Sequence, residues 1–538
     1  MKNDTEKNEN LKEISTFQRI LPQILASSAK NLLLLDLGMA VSFPTIVIPA
    51  LRGLKMHDNN DILSFTAEQA SWFASIAFIF QPIGSIASGI VLEPLGRKKS
   101  MILVNIPHII GWAMLHYASS LTELYIAAIL LGLGVGFMEA PIITYVGEIC
   151  QPSIRGVLTS CAGVAVMIGI SLVYLLGSIT TWRLTALICS TVPICTAIAI
   201  CFVPETPFWL LAKNRKEEAL KSLMWLRGWV KNSKHVESEF NEIVRYSQES
   251  NRCVSCHKND SKCTHPPATA SELLKELKRK RTLKPLFLVI MMFAFAQFSG
   301  LASMRPYFIQ IFQAYSIPYD ASWATVVIGI MGFFANIVCV CLVKPLGKRK
   351  IALISMTGAC ISIISLAIYS YIVLPSGLTS FEKHIDQAEI NNYLGYIPLT
   401  FIYLLAFFTS LGLLPVPWMI LSEVFPFKSR GLASGITAAI NYTMAFFTTK
   451  TYFNMESTLS LFGVIALYAV VDVFGLIFIY FYLPETEKRT LEDIELHFSD
   501  NNKKLKDIKI PKNKTVCSKT RADKGCENNA FEGDNNKY

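Results

Sequence analysis

The sequence predicts an all-α polytopic membrane protein, twelve transmembrane helices folded as two six-helix bundles. Three observations point there. Residues of the set AVILMFWYC make up 52% of the 538 residues, and Asp, Glu, Lys and Arg only 17%, against about a quarter charged in a typical soluble domain. Apolar windows of about 20 residues, the length a helix needs to cross a bilayer, occur twelve times, six on each side of a long polar stretch. The two halves also repeat short motifs in the same order. With a mean hydropathy of +0.40, the chain carries more apolar surface than one soluble core hides. That excludes a disordered chain, a collagen-like fibre and an ordinary cytosolic enzyme. Strand-type alternation is absent, which excludes a β-barrel.

Residues 1–30 read as a polar cytosolic tail with no signal peptide, so the first apolar segment serves as both signal and anchor. The N-terminal bundle, 31–203, holds windows near 31–51, 70–92, 100–118, 122–146, 157–178 and 184–203. Residues 204–284 form a cytosolic loop, with basic amphipathic helices expected over 213–229 and 271–283 and Lys278 to Arg281 set to touch anionic lipid. The C-terminal bundle, 285–483, holds windows near 285–311, 321–343, 350–373, 393–420, 431–453 and 460–483. Residues 484–538 are a cytosolic tail, polar and disordered after about 498.

Charge sets the orientation. With the N-terminus inside, 44 of the 50 Lys and Arg residues fall in cytosolic segments, so both termini belong in the cytosol. The six others are Arg52, Lys55, Arg183, Arg305, Lys383 and Lys450. The net charge of +10 therefore orients the chain and does not indicate nucleic acid. The sequons at Asn3, Asn259, Asn441 and Asn513 all lie inside or in a helix, so no N-glycan is expected. Eight of the thirteen cysteines lie in or at the ends of apolar segments and read as small core residues. Cys253, Cys256, His257, Cys263 and His265 are zinc-type ligands, but without a standard spacing; a flexible loop is the expectation, with no metal and no cofactor.

The repeat is visible at three landmarks. Glu93-Pro94-Leu95-Gly96-Arg97-Lys98-Lys99 follows the second window and Lys344-Pro345-Leu346-Gly347-Lys348-Arg349-Lys350 the eighth. Glu148 with Arg155-Gly156 has its counterpart in Glu423 with Arg430-Gly431, at the same spacing. Pro204-Glu205-Thr206 ends the first half and Pro484-Glu485-Thr486 the second. Duplicated six-helix halves are the architecture of many secondary transporters.

These motifs, with Gln297-Phe298-Ser299-Gly300 and Pro415-Val416-Pro417-Trp418, resemble the sugar porters of the major facilitator superfamily over about residues 28–497. The chain is most similar to the insect-type branch that includes facilitated trehalose transporters. The resemblance implies a major facilitator fold and a facilitative carrier of trehalose or another small sugar, working by alternating access as a monomer in the plasma membrane. It further implies that Arg97, Glu148, Arg155, Glu205, Glu423, Arg430 and Glu485 form a cytosolic gate, closed in the outward-facing state. The plainer reading of those charges is positive-inside anchors and helix caps. Lys344 reverses the charge of the family's usual Asp, and Pro94 and Pro345 replace its usual Arg.

Gln297, Trp418 and Asn441 match sugar-contact positions of the family; helix–helix hydrogen bonds or packing are the alternatives. Other expected contacts are replaced by Gly163, Ala296, Ala302 and Gly332, with Asn336 one turn beyond the last. Four lost amides imply a roomier pocket with fewer hydrogen bonds, suited to a disaccharide over a hexose. The helix 1 Asp of proton-coupled members is Ala40 and the helix 4 Arg is Ala128, which argues for uniport. Glu139 remains as a possible coupling carboxylate, and Asp36, His108 and Asp472 also lie in or near apolar windows. Arg305 is open to snorkelling or to pairing with Asp36 or Glu139. The alternatives are a proton-coupled symporter of a sugar or other small organic solute, and a non-transporting nutrient sensor. No nucleophile–base set or phosphate loop appears, so an enzyme is not expected.

Overall fold

The computed structural model describes residues 16–54, 63–230, 234–250, 277–375, 377–381, 392–421, 423–425 and 430–487, with 489, 494, 497 and 498. No strand occurs among them. The first spanning helix, α1, runs Thr16–Ser42 and continues as Pro44–Leu51 after a break at Phe43. Pro44 lacks an N–H, so the helix restarts there at little cost. Then come α2 (Ala67–Leu95), α3 (Arg97–Tyr117), α4 (Leu121–Ile149), α5 (Pro152–Ile179) and α6 (Trp182–Cys201). Capping boxes at Thr66/Gln69 and Ser120/Glu123 start α2 and α4, each satisfying two otherwise unmet backbone groups.

Short helices Pro207–Ala212, Lys216–Leu226 and Lys234–Ser250 follow the first half. In the second half, α7 comprises Lys280–Phe298, Leu301–Met304 and Phe308–Ala314. Its first break falls at Gly300, whose φ of 91° suits glycine. Next are α8 (Ala321–Leu346), α9 (Lys348–Val373), and α10, built from Tyr396–Phe408, a π-turn at Thr409–Leu413 and Pro415–Leu421. The last helix pair, α11 (430–459) and α12 (461–482), is one helical run turned sharply at Ser460, where φ is 64°.

Ten helices among the described residues are long and apolar enough to cross a membrane, α11 and α12 being counted together. The remaining one of the twelve expected windows is α3, whose Arg97, Lys98, Lys99, Asn105, His108 and His116 dilute its hydropathy. The largest difference from the expected layout is at the start. The helix begins at Thr16, because Ala26, Ala29 and Leu33 pack into a core with Cys150, Ile200 and Leu226. The lipid-facing surface stays apolar, with Ile86, Ile90, Phe202, Phe474 and Phe481 all more than 60% exposed. Such a surface suits acyl chains and not water.

The halves meet where α2 packs on α11 and α5 on α8, a pairing that the internal repeat exchanges. At the end away from the basic motifs, the halves are tied together. The Thr45 hydroxyl donates to the Arg305 carbonyl at 2.9 Å, and the Ser71 hydroxyl to the Lys450 carbonyl at 2.9 Å. Arg52 donates to the Phe381 carbonyl at 3.0 Å and lies 5.1 Å above its ring. Lys450 sits 4.2 Å above the Trp72 ring. The molecule is thus closed at this end.

Candidate functional site

At the basic end, each half builds the same cluster. Gly96 precedes α3 and offers no side-chain cap, leaving the first backbone N–H groups of the helix unmet. Glu205 supplies the acceptor, taking the N–H of Arg97 at 3.1 Å and of Lys98 at 3.0 Å. Burial raises the Glu205 carboxyl above its usual range, and the N–H donors of Thr206, Lys98 and Arg97 counter only part of the rise. In the second half Glu485 takes the N–H of Lys348 at 3.0 Å and of Arg349 at 3.2 Å. Both glycines are required. Gly96 and Gly347 have φ of 89° and 86°, and a Cβ would lie 2.4 and 2.3 Å from the Glu205 and Glu485 carboxylates.

Arg97 then reaches Glu148 with Nη2 at 2.8 Å and Nε at 3.1 Å, and Glu93 at 3.3 Å. The matching pair is Lys348 with Glu423, a contact that Lys348 extends to Glu487 at 3.2 Å. The Thr486 hydroxyl donates to Glu423 at 3.0 Å. Lys348 lies outside the gate that the sequence predicts, although the aligned Gly-Arg-Lys and Gly-Lys-Arg strings mark it as the Arg97 counterpart. The side chains of Arg155 and Arg430 lie outside the described residues, as does the Cys253–His265 cluster. Every hydrogen bond and ion pair that Arg97, Glu148, Glu205, Lys348, Glu423 and Glu485 make with described residues stays within its own half. Arg97 Nη1 and Glu148 Oε2 are buried without a hydrogen-bond partner among those residues.

At mid-depth, polar and aromatic side chains from both halves meet. The Gln297 amide donates to Asn441 Oδ1 at 2.9 Å, so these two expected contact residues are joined across 144 positions. Gln297 sits just before the Gly300 break, and Asn441 lies about a third of the way along α11. Trp418 packs edge-on to Phe293, with centroids 4.9 Å apart, and lies 6.3 Å from the Tyr442 ring. Across the interface, Glu139 of α4 accepts from the Ser85 hydroxyl at 3.0 Å and from the Tyr442 hydroxyl at 3.4 Å. Gln297, Trp418, Glu139 and Tyr442 are all partly exposed.

The lost amides have structural counterparts. The Asn336 amide nitrogen donates to the Gly332 and Ser410 carbonyls at 3.2 Å, and its oxygen faces Gly163 of the other half, 2.5 Å from where a Cβ would stand. Asn336 thus fills the space that a longer side chain at position 163 would need. Ala40 and Ala128 line a cavity of about 30 Å³ inside the N-terminal half, together with Phe73, Gln81 and Leu131. No acid or base lines it among the described residues. Arg305 pairs with neither of its expected partners. Asp36 accepts from the Trp112 indole at 2.8 Å and contacts His108, and Glu139 is engaged as above. Instead Arg305 lines a small cavity between the halves with Met167, Tyr174, Phe308 and Ser410.

Residues 25–498 match the family described as "Sugar (and other) transporter". The facilitated trehalose transporter Tret1 of Bombyx mori is 28% identical over 504 residues, 93% of this chain and 92% of the relative. The protein of that name from Apis mellifera ligustica is 29% identical over 484 residues, 89% of each chain. Among solved structures, the xylose transporter XylE from E. coli in an inward open conformation superposes with a TM-score of 0.65 at 19% identity, over 87% of this chain and 98% of that one. The proton:xylose symporter XylE bound to 6-bromo-6-deoxy-D-glucose gives a TM-score of 0.66 at 19% identity, over 89% and 99%. At that identity the likeness is one of fold.

Proposed function

The chain belongs to the sugar (and other) transporter family, and from that premise we propose that it is a facilitative sugar carrier of the plasma membrane. Trehalose or another small sugar is the cargo. Both termini face the cytosol, which places the basic end inside and the tied end outside. The structure is then the inward-facing state. The observation that carries the reading is the group Gln297, Asn441 and Trp418, set at mid-depth below a closed outer end. Its amides and aromatic ring suit hydroxyls and the apolar face of a sugar ring, and Gln297 and Trp418 remain partly exposed.

Transport follows from rocking of the halves about this group. When the outer ties break, the inner clusters come together and close the cytosolic end. Arg97 Nη1 and Glu148 Oε2, which have no hydrogen-bond partner among the described residues, are placed to bond across it, with Arg155, Arg430, Glu423 and the helix-capping Glu205 and Glu485 completing the gate. Individual exposed ion pairs contribute only about 0–1 kcal/mol, but two states separated by a few kcal/mol respond to several of them.

Ala40 and Ala128 leave no charge where proton-coupled relatives of this fold are expected to hold an Asp and an Arg, which supports uniport. A proton-coupled carrier is the second reading, favoured by one observation: the Glu139 carboxylate bridges the two halves. Uptake of labelled trehalose, sucrose, glucose and fructose into proteoliposomes, with and without a pH gradient, separates them. Uniport predicts equilibration of at least one sugar, unchanged by the gradient. Accumulation driven by the gradient supports coupling, and absence of flux for every sugar removes both.

A further inference from the structure

Four amides expected at a sugar site are missing, yet the mid-depth group contains a carboxylate that such a site does not require. Glu139 projects from α4 about 15 Å from its basic end, counting ten residues at the helical rise. That is near the depth of Gln297 and Asn441. An ionised carboxylate offers about four acceptor positions and no donor. The described donors fill two of them, Ser85 at 3.0 Å and Tyr442 at only 3.4 Å. The second bond is long and comes from the opposite half. It also comes from a residue adjacent to Asn441 whose ring lies beside Trp418.

Resting on the sugar-carrier reading, we infer that Glu139 is a specificity-determining ligand for the cargo, accepting hydrogen bonds from two neighbouring hydroxyls of a polyhydroxylated ring. The cargo takes the position that Tyr442 holds loosely, while Ser85 fixes the carboxylate orientation. Gln297 and Asn441 contact another edge of the ring, and the Trp418 and Tyr442 rings lie along its apolar face. One charge-assisted contact replaces several neutral amide contacts, so recognition concentrates on one diol of the sugar. A vicinal diol matches the two oxygens of a carboxylate, as a lone hydroxyl does not.

The test measures inhibition of sugar exchange in proteoliposomes by glucose, trehalose and their singly deoxygenated analogues, for the wild type, Glu139→Gln and Glu139→Asp. In the wild type, removing one hydroxyl of the recognised pair weakens inhibition about tenfold or more, the contribution of a hydrogen bond to a charged group. In Glu139→Gln the same deletion costs only about two- to threefold, because a neutral amide oxygen has replaced the charge, while deletions elsewhere on the ring keep their wild-type cost. Glu139→Asp retains the preference with weaker inhibition, and carries the comparison if the Gln variant does not fold. An identical deoxy-sugar profile in wild type and Glu139→Gln overturns the inference. So does a uniform loss at every position, which marks a structural role. So does loss of pH-driven accumulation with the profile intact, which marks coupling. A wild type that exchanges none of these sugars removes the carrier reading itself.

Discussion

Arg52→Ala is expected to release the outer end. The Arg52 guanidinium makes the 3.0 Å bond to the Phe381 carbonyl and lies over its ring, linking the end of α1 to the chain after α9. A hydrogen bond from a charged donor contributes about 1.5–3 kcal/mol, and a partly exposed cation–π contact about 0.5–1 kcal/mol. Arg52 is half-buried, so water recovers part of this when the contact opens. A net loss of about 1.5 kcal/mol remains, which is roughly a tenfold shift of the inward–outward equilibrium toward outward. Spin labels introduced by Tyr117→Cys and Tyr371→Cys, in a background without native cysteines, report the separation of the outer ends. Both positions are more than 70% exposed and lie at the ends of α3 and α9. The expected result is a second, longer distance population that grows in Arg52→Ala and grows further with Lys450→Ala. An unchanged distribution in both variants would refute the assignment of these contacts as the tie that holds this state.

Three other outcomes follow from the geometry. Gln297→Ala and Asn441→Ala should each raise KM for sugar uptake several-fold with normal surface expression. The double variant should lose less than the two together, because the residues bond each other; additive losses would argue against a shared site. Gly96→Ala and Gly347→Ala should lower the Tm in detergent by several degrees or abolish expression, because each combines a positive-φ, extended-ψ backbone that essentially only glycine adopts, about 1–3 kcal/mol for another residue, with a carboxylate in the way. Wild-type stability in either would contradict the cap assignment. Lys348→Met should destabilise by leaving Glu423 without its cation, and adding Glu423→Gln should restore much of the loss; a double variant no better than the single would break the pairing.

The helical layout was legible because bilayer burial demands long apolar runs, and these stand out whatever the contacts. The exceptions have local causes. α3 carries three basic residues and a buried His108 that finds its partner Asp36 on α1, so polarity there reflects an internal pair. The Ser460 turn falls at the gap between the last two apolar windows, 431–453 and 460–483, although Ser460 itself is neither Gly nor Pro. Contacts between distant helices were less visible. The charge count gives Arg52 and Lys450 no role, since nothing in the sequence signals that each meets an aromatic ring of the other half. The Gln297–Asn441 bond joins two residues that motif comparison treats separately. Lys348 was within reach, because the repeat that identified Glu423 and Glu485 places it opposite Arg97.

Counterflow tests the central claim most directly. Proteoliposomes holding the protein are preloaded with unlabelled trehalose, or with whichever sugar the uptake panel selects, and diluted into trace labelled sugar without a pH gradient. A carrier with one site exposed alternately to each side predicts a transient accumulation of label above equilibrium, abolished when the preload is omitted. Label that only equilibrates, at the same rate with or without preload, would contradict an alternating-access sugar carrier.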